Sequence, residues 1–279
     1  MLPGRGPMRN SIKWIIPAAI LAYIYYPTAL WMIDRWGARD SYFGHGFLIP
    51  LVSLYWIVKK KNVLAACEKR SEIGGAVLLL LAVTLQIIAA FLRIYFLSAF
   101  SFVILLFGAV WFLFGRKLLG KIWFPLAFLF LMIPLPLLFI SQITLAMKFF
   151  VSEISVYLLN LGGIHSARTG SYIQMPHATI LIGDPCSGLR SFLAFLCLGF
   201  VFSYDERLSP WKKSVLIFAG LPLAIFSNVT RVYSLALLSE IYGEERIAGT
   251  IHDISGYAVF VLAFLILMVM RSKLEKINA

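Results

Sequence analysis

The chain has 279 residues, of which 61% are hydrophobic and 14% charged, with a formal net charge of +12 and a mean hydropathy of +0.87. A water-facing surface normally needs about 25% charged residues, so a soluble fold is excluded. The basic residues sit in short clusters between apolar runs, not in a groove with interleaved aromatics, which excludes nucleic acid and names the lipid bilayer as partner.

Taken in order, the apolar runs predict an all-α polytopic membrane protein of eight spans in a single domain, 1–279. Each run approaches the roughly 20 residues that a helix needs to cross a bilayer. The spans are read at about 12–33, 45–58, 73–91, 94–114, 118–140, 186–204, 211–239 and 253–270. The leading MLPGRGPMRN has no small-residue cleavage site, so the first run reads as a retained span. Pro222 is expected to kink the seventh, because proline removes a backbone donor.

Between the fifth and sixth spans lies an insert, 141–185. Its first part, SQITLAMKFFVSEISVYLLNL, has polar residues too frequent for a central span and reads as a helix at the interface or packed on the bundle. Its second part, ARTGSYIQMPHATILIGDP, shows two β-prone runs separated by Pro176 and His177, which predicts a short hairpin. Asp184-Pro185 then breaks the strand ahead of the sixth span.

Alternate connections collect Arg5, Arg9 and Lys13; Lys59, Lys60, Lys61, Lys69 and Arg70; Arg116, Lys117 and Lys121; Arg207, Lys212 and Lys213; and Arg271, Lys273 and Lys276. These clusters hold most of the 25 basic residues, so that side should be cytoplasmic, with both termini on it. Asp34, Asp40, Glu153, Asp184, Glu240, Glu244, Glu245 and Asp253 fall on the other side, as does the insert.

This topology gathers polar residues at the outer face. Cys186 opens the sixth span in DPCSGLRSF, and Arg190 follows four residues later on the same helical side. Asn228 and Arg231 lie near the outer end of the seventh span in SNVTRVY, His252 starts the eighth in TIHDISGY, and His45 opens the second in YFGHGF. A helix N-terminus and a nearby cation lower a thiol's pKa and make it a nucleophile. A histidine can hand a proton to a leaving amine and take one from an acceptor, and an arginine can hold an oxyanion. Cys, His and Arg thus form a set sufficient for amide cleavage through a thioester, and no metal or cofactor is needed. Cys67 is on the cytoplasmic side, and Cys197 is about 16 Å deeper along the helix than Cys186, among Leu and Phe.

Each candidate also has a purely structural reading. Cys186 is also readable as inert packing, Arg190 as a snorkelling residue, His252 as a cap beside Asp253, and His45 as a hydrogen-bonding residue; His165 and His177 read as solvated. Arg231 is harder to explain this way, because a charge inside a span is costly.

These motifs, in this order over about 40–270, resemble the exosortase and archaeosortase family of membrane cysteine transpeptidases. YFGHGFLIPLVSLYW is similar to the family's early SHG-containing segment, and FPLAFLFLMIPLP to its proline-rich fifth span. DPCSGLRSF is similar to its cysteine motif, SNVTR to its Asn-x-x-Arg motif and HDISGYAVF to its histidine motif. The resemblance implies Cys186 as nucleophile with Arg231 and His252 as its catalytic partners, and Arg190, Asn228, His45, Ser187 and Asp184 in support. It implies substrates that are secreted proteins ending in a short motif, a membrane helix and a basic tail, as in PEP-CTERM proteins. These would be cleaved beside that helix at the cytoplasmic (inner) membrane and passed to a surface acceptor. Two departures leave the subfamily open: Asp184-Pro185 stands where the family has an acidic residue and Ala, and Gly44-His45-Gly46 where it has Ser-His-Gly. Two alternatives stand beside this expectation: proteolysis with water as acceptor, and a non-enzymatic scaffold or transporter for surface polysaccharide.

Overall fold

The computed structural model describes residues 8–38, 41–184, 187–204, 208–243 and 250–276, with backbone alone at 8–14, 250–257 and 259. These residues form helices and one small sheet. Their contacts divide the chain into two units, Met1–Pro134 and Leu135–Ala279.

The first unit contains α1 (Met8–Gly37), a 3-10 turn (Gly44–Phe47), α2 (Leu48–Lys59), α3 (Lys61–Ala65), α4 (Gly74–Leu92), α5 (Tyr95–Phe114), α6 (Arg116–Phe128) and a second 3-10 turn (Leu129–Met132). The segments Ile15–Gly37, Gly74–Leu92 and Tyr95–Phe114 are long and apolar enough to cross a membrane, as expected for the first, third and fourth spans. The second expected span is instead a turn followed by the 12-residue α2, only about 18 Å of helix.

Small residues let α4 and α5 touch. A Cβ on Gly75 would stand 2.3 Å from the Phe112 backbone nitrogen, and one on Gly108 would stand 2.9 Å from that of Leu79. Lipid offers helices no hydrophobic drive to associate, so close approach of this kind does the joining. Gly75→Ala is therefore expected to destabilise the unit by about 1–3 kcal/mol through overpacking. The thermal midpoint of detergent-solubilised protein checks it.

A buried polar chain adds to the joint. Thr28 Oγ1 lies 2.6 Å from Ser98 Oγ, and Ser98 and Ser101 both donate to Gln86 Oε1, at 2.7 and 3.0 Å. Tyr25 hydroxyl lies 3.0 Å from Ser101 Oγ. The polar atoms in this chain bond to one another across α1, α4 and α5, which makes the group helix glue and not a path for solute.

At the end carrying Lys59–Lys61, Lys117 Nζ lies 2.8 Å from Glu68 and holds that carboxyl below its ordinary range. The Trp111 indole N–H donates to Glu72 at 2.8 Å and has the same effect there.

The expected span 118–140 is not one helix, which is a correction to the hydropathy reading. Helix α6 ends at Phe128, the chain tightens into the second 3-10 turn, and Ile133 is extended. Pro134 precedes Leu135, and Pro136 (ψ 142) caps a new helix, α7 (Leu137–Leu161). Proline disfavours helical backbone in the residue before it, so two prolines in three residues force the break. Helix α7 has 25 residues and is itself long and apolar enough for a membrane, whereas the sequence reading began at 141 a helix lying at the interface or packed on the bundle.

The second unit holds α7, strands β1 (Ala167–Thr169), β2 (Tyr172–Gln174) and β3 (Thr179–Leu181), and helices α8 (Leu189–Ser203), α9 (Pro210–Tyr242) and α10 (Thr250–Lys276). The sheet is an antiparallel meander in the order β1-β2-β3, with Ile173 paired to Ile180. The expected hairpin about Pro176-His177 is its second half, closed by Met175 N–H to Ala178 carbonyl at 2.9 Å. Strand β1 is an addition, turned into β2 through Gly170 at φ +63°. Alternate residues Ile173, Met175, Ala178 and Ile182 are buried against Val151 and Leu159 of α7 and Val229, Val232 and Ala236 of α9.

Helix α9 has 33 residues, or about 50 Å, well beyond a hydrocarbon core of roughly 30 Å. It runs through Pro222 unbroken. Helix α8 lies directly on it: a Cβ on Gly199 would stand 2.7 Å from the Leu216 carbonyl, and one on Gly220 would stand 3.0 Å from the Phe195 backbone. Helix α10 completes the group, with Leu267 and Leu274 packed on Leu216 and with Phe260 stacked on Phe195 at 4.9 Å. At one end the buried Lys212 (2% exposed) donates to the Leu274 carbonyl at 2.8 Å.

Candidate active site

Those sequence candidates of the second unit that the structure describes fall at the end of these helices opposite Lys212. Helix α8 begins at Leu189 behind Gly188, which adopts φ +81°. That left-handed backbone suits glycine, and space demands glycine as well: a Cβ there would stand 2.8 Å from the Asn228 side chain. The turn of the cysteine motif is thus packed on the Asn-x-x-Arg motif. Ser187 is fully buried, and its Oγ accepts from Leu189 N–H at 3.4 Å. Arg190, the second residue of α8, is exposed.

Asn228 is 4% exposed and Arg231, three residues on and therefore on the same face, is half-buried. Both lie about 27–32 Å along α9 from Pro210. His252 is in the first turn of α10. From the packed level of Phe195, Ala224 and Ala263, the chain runs toward this same end to reach Gly188, Arg231 and His252. Cys186 lies outside the described residues, and so does the side chain of His252.

The approach to the cysteine is pinned on both sides. Ile182 N–H donates to the Ser171 carbonyl at 2.8 Å, and Ser187 N–H donates to the Asp184 carbonyl at 3.1 Å. The Asp184 carboxylate meets Lys148 of α7, Nζ to Oδ1, at 2.5 Å. Farther out, Glu240 of α9 accepts from the His177 backbone N–H at 3.0 Å and pairs with its Nδ1 at 2.7 Å, which fastens the β2–β3 turn to the helix. Sequence reasoning treated His177 as merely solvated; its ring is exposed, but it is tied. Lys148 was seen only as a polar interruption of an apolar helix. Its position on α7 beside the insert's end was the available signal.

His45 belongs to the first unit. Its ring bonds the Leu131 carbonyl, its buried Nε2 has no hydrogen-bond partner among the described residues, and Phe43 lies 5.9 Å away. Gly46 beside it is dictated by Trp36, whose indole would be 2.3 Å from an added Cβ and whose Nε1 donates to the Met132 carbonyl at 2.8 Å. Of the other thiols, Cys67 is half-buried and Cys197 buried. No group of three or more metal-ligating side chains occurs among the described residues.

No curated protein and no solved structure matches the chain. A family model does, that of the transmembrane exosortases, over residues 36–269. The match runs from the end of α1 to within the last turns of α10 and takes in every motif above. This multi-pass membrane protein therefore belongs to the transmembrane exosortase family.

Proposed function

We propose that the chain cleaves secreted proteins beside a C-terminal membrane helix through a thioester on Cys186, at the extracytoplasmic face of the cytoplasmic membrane. The observation that carries the reading is the packing of Gly188 against Asn228, which joins the cysteine motif to the helix bearing Arg231. The start of α10 at the same end adds the segment bearing His252.

The chemistry follows from the three side chains. The Cys186 thiolate adds to the scissile carbonyl carbon, and Arg231 holds the resulting oxyanion. Collapse breaks the C–N bond as His252 protonates the leaving amine, which departs with the substrate's membrane helix. An acceptor nucleophile then attacks the thioester, gives its proton to His252 and frees the thiolate. With water as acceptor the first half is identical and the outcome is proteolysis. Asn228 holds the turn, while Arg190, Ser187 and Asp184 support it. The substrates are proteins bearing a short motif, a membrane helix and a basic tail.

The test uses a reporter with such a tail, co-expressed with the protein and followed by gel mobility and mass. Cys186→Ala is expected to abolish processing, with Cys67→Ala and Cys197→Ala as active controls. Arg231→Lys should lose most activity, about 100-fold or more, because lysine offers a point charge in place of a planar fork. Unchanged processing by Cys186→Ala would sink the proposal. The product mass separates transfer from hydrolysis.

A further inference from the structure

We infer that the cleft between the start of α6 and the loop ahead of α4 binds the phosphate headgroup of an anionic phospholipid, whose acyl chains lie along α4. The cleft has a volume of about 490 Å³ and is lined by Glu72, Arg116, Lys117, Gly120 and Lys121. That is within the size range of sites that hold small ligands. Its walls are fixed backbone. The Arg70 and Glu72 N–H groups donate to the Phe114 and Phe112 carbonyls at 3.4 and 3.2 Å, and Ser71 Oγ donates to the Phe112 carbonyl at 2.8 Å. Gly115 turns the corner into α6 at φ +88°, where a Cβ would stand 2.5 Å from the Arg70 carbonyl.

Charge names the ligand. Lys60 Nζ donates to the Lys121 carbonyl at 3.2 Å, and Arg70 lies close enough to act on both Glu68 and Glu72. Lys60, Arg70, Arg116, Lys117 and Lys121 thus outnumber the two carboxylates among them. Glu68 is taken by Lys117 at 2.8 Å, and Glu72 accepts from the Trp111 indole at 2.8 Å and faces the Arg116 backbone N–H. The first turn of α6 is therefore already answered, and the unmet charge sits on side chains. Among the described residues neither Arg116 nor Lys121 makes an ion pair. Cations in a first helical turn oppose the helix dipole, so α6 opens on Arg116 and Lys117 at a cost that a bound anion removes. Gly120 stands one turn beyond Arg116, and a Cβ there would meet nothing within 4 Å, which leaves the guanidinium fork open to a phosphate. The apolar surface beside the cleft selects a lipid over a free phosphate. Ile73, Val77 and Leu80 follow Glu72 along one face of α4 and are 86%, 69% and 68% exposed. Trp123, two residues after Lys121, is also exposed, a ring suited to headgroup depth.

The experiment is native mass spectrometry of the detergent-solubilised protein, titrated with phosphatidylglycerol or with phosphatidylcholine. The first phosphatidylglycerol should bind about tenfold more tightly than phosphatidylcholine, and the preference should shrink as salt rises. Arg116→Gln/Lys121→Gln should lose that preference, with its thermal midpoint in lipid-free detergent reporting that it is folded. Gly120→Leu should lose it too, since it keeps every charge and adds a side chain only where space is open; it decides the matter if the double variant does not fold. Lys273→Gln/Lys276→Gln removes equal charge from the end of α10 and should keep the preference, which separates a site from general attraction. Glycerol phosphate, a headgroup without chains, should not compete at the lipid's own concentration. Equal binding of the two lipids, a preference retained in folded cleft variants, or an equal loss in the Lys273→Gln/Lys276→Gln variant overturns the inference. Competition by glycerol phosphate would assign the cleft to a soluble phosphate and overturn the lipid.

Discussion

Replacing Gly188 with alanine is expected to abolish processing. Two costs combine at this one position. The left-handed backbone at φ +81° costs an alanine roughly 1–2 kcal/mol. The new Cβ would also stand 2.8 Å from the Asn228 side chain, an overpacking worth about 1–3 kcal/mol. Asn228 is 4% exposed and has nowhere to retreat, so the turn carrying the cysteine motif must lift from α9. Gly163 provides the control, because it has φ +84° and nothing within 4 Å of an added Cβ. Gly163→Ala should show the backbone cost alone and keep processing. Equal activity in the two variants would show that contact with Asn228 does not matter.

Lys212→Met is expected to destabilise the protein far from the site. Two terms oppose each other. Removing a buried ammonium relieves desolvation. Against this, Leu274 lies in the last turn of α10, where carbonyls have no partner within the helix, and a cation there also meets the negative end of the helix dipole. Burial denies that carbonyl water, so methionine leaves it unsatisfied, at about 1–3 kcal/mol. The second term prevails, because the ammonium is already hydrogen-bonded at 2.8 Å and little desolvation is left to recover. The thermal midpoint in detergent should fall by several degrees, and an unchanged midpoint would refute the role. Processing at temperatures below the midpoint should persist.

Hydropathy located α1, α4, α5 and α9 to within a few residues, because lipid-facing helices must be apolar over their whole length. It failed between 118 and 140, where apolar residues continue across a break that Pro134 and Pro136 impose through backbone geometry. Strand β1 escaped notice because Ala167, Arg168 and Thr169 are all exposed and show no alternation to read; only pairing with β2 defines it. Tyr25, Thr28, Gln86, Ser98 and Ser101 are scattered through three apolar runs of the sequence, and their mutual bonding exists only once three helices meet. Lys212 was counted as a charge that sets orientation and Lys148 as a polar interruption of an apolar run, since charge alone does not reveal that a side chain is 2% or 14% exposed. The meeting of the cysteine motif with the Asn-x-x-Arg motif was legible, because span parity alone put both at one face.

The glycine-lined contact of α8 and α9 also limits how a substrate arrives. With Gly199 against the Leu216 carbonyl and Gly220 against the Phe195 backbone, the two helices leave no slot between them. That seam is a wall to anything diffusing in the bilayer. Under the proposed function, a client's membrane segment therefore cannot part α8 from α9 and must dock beside the pair.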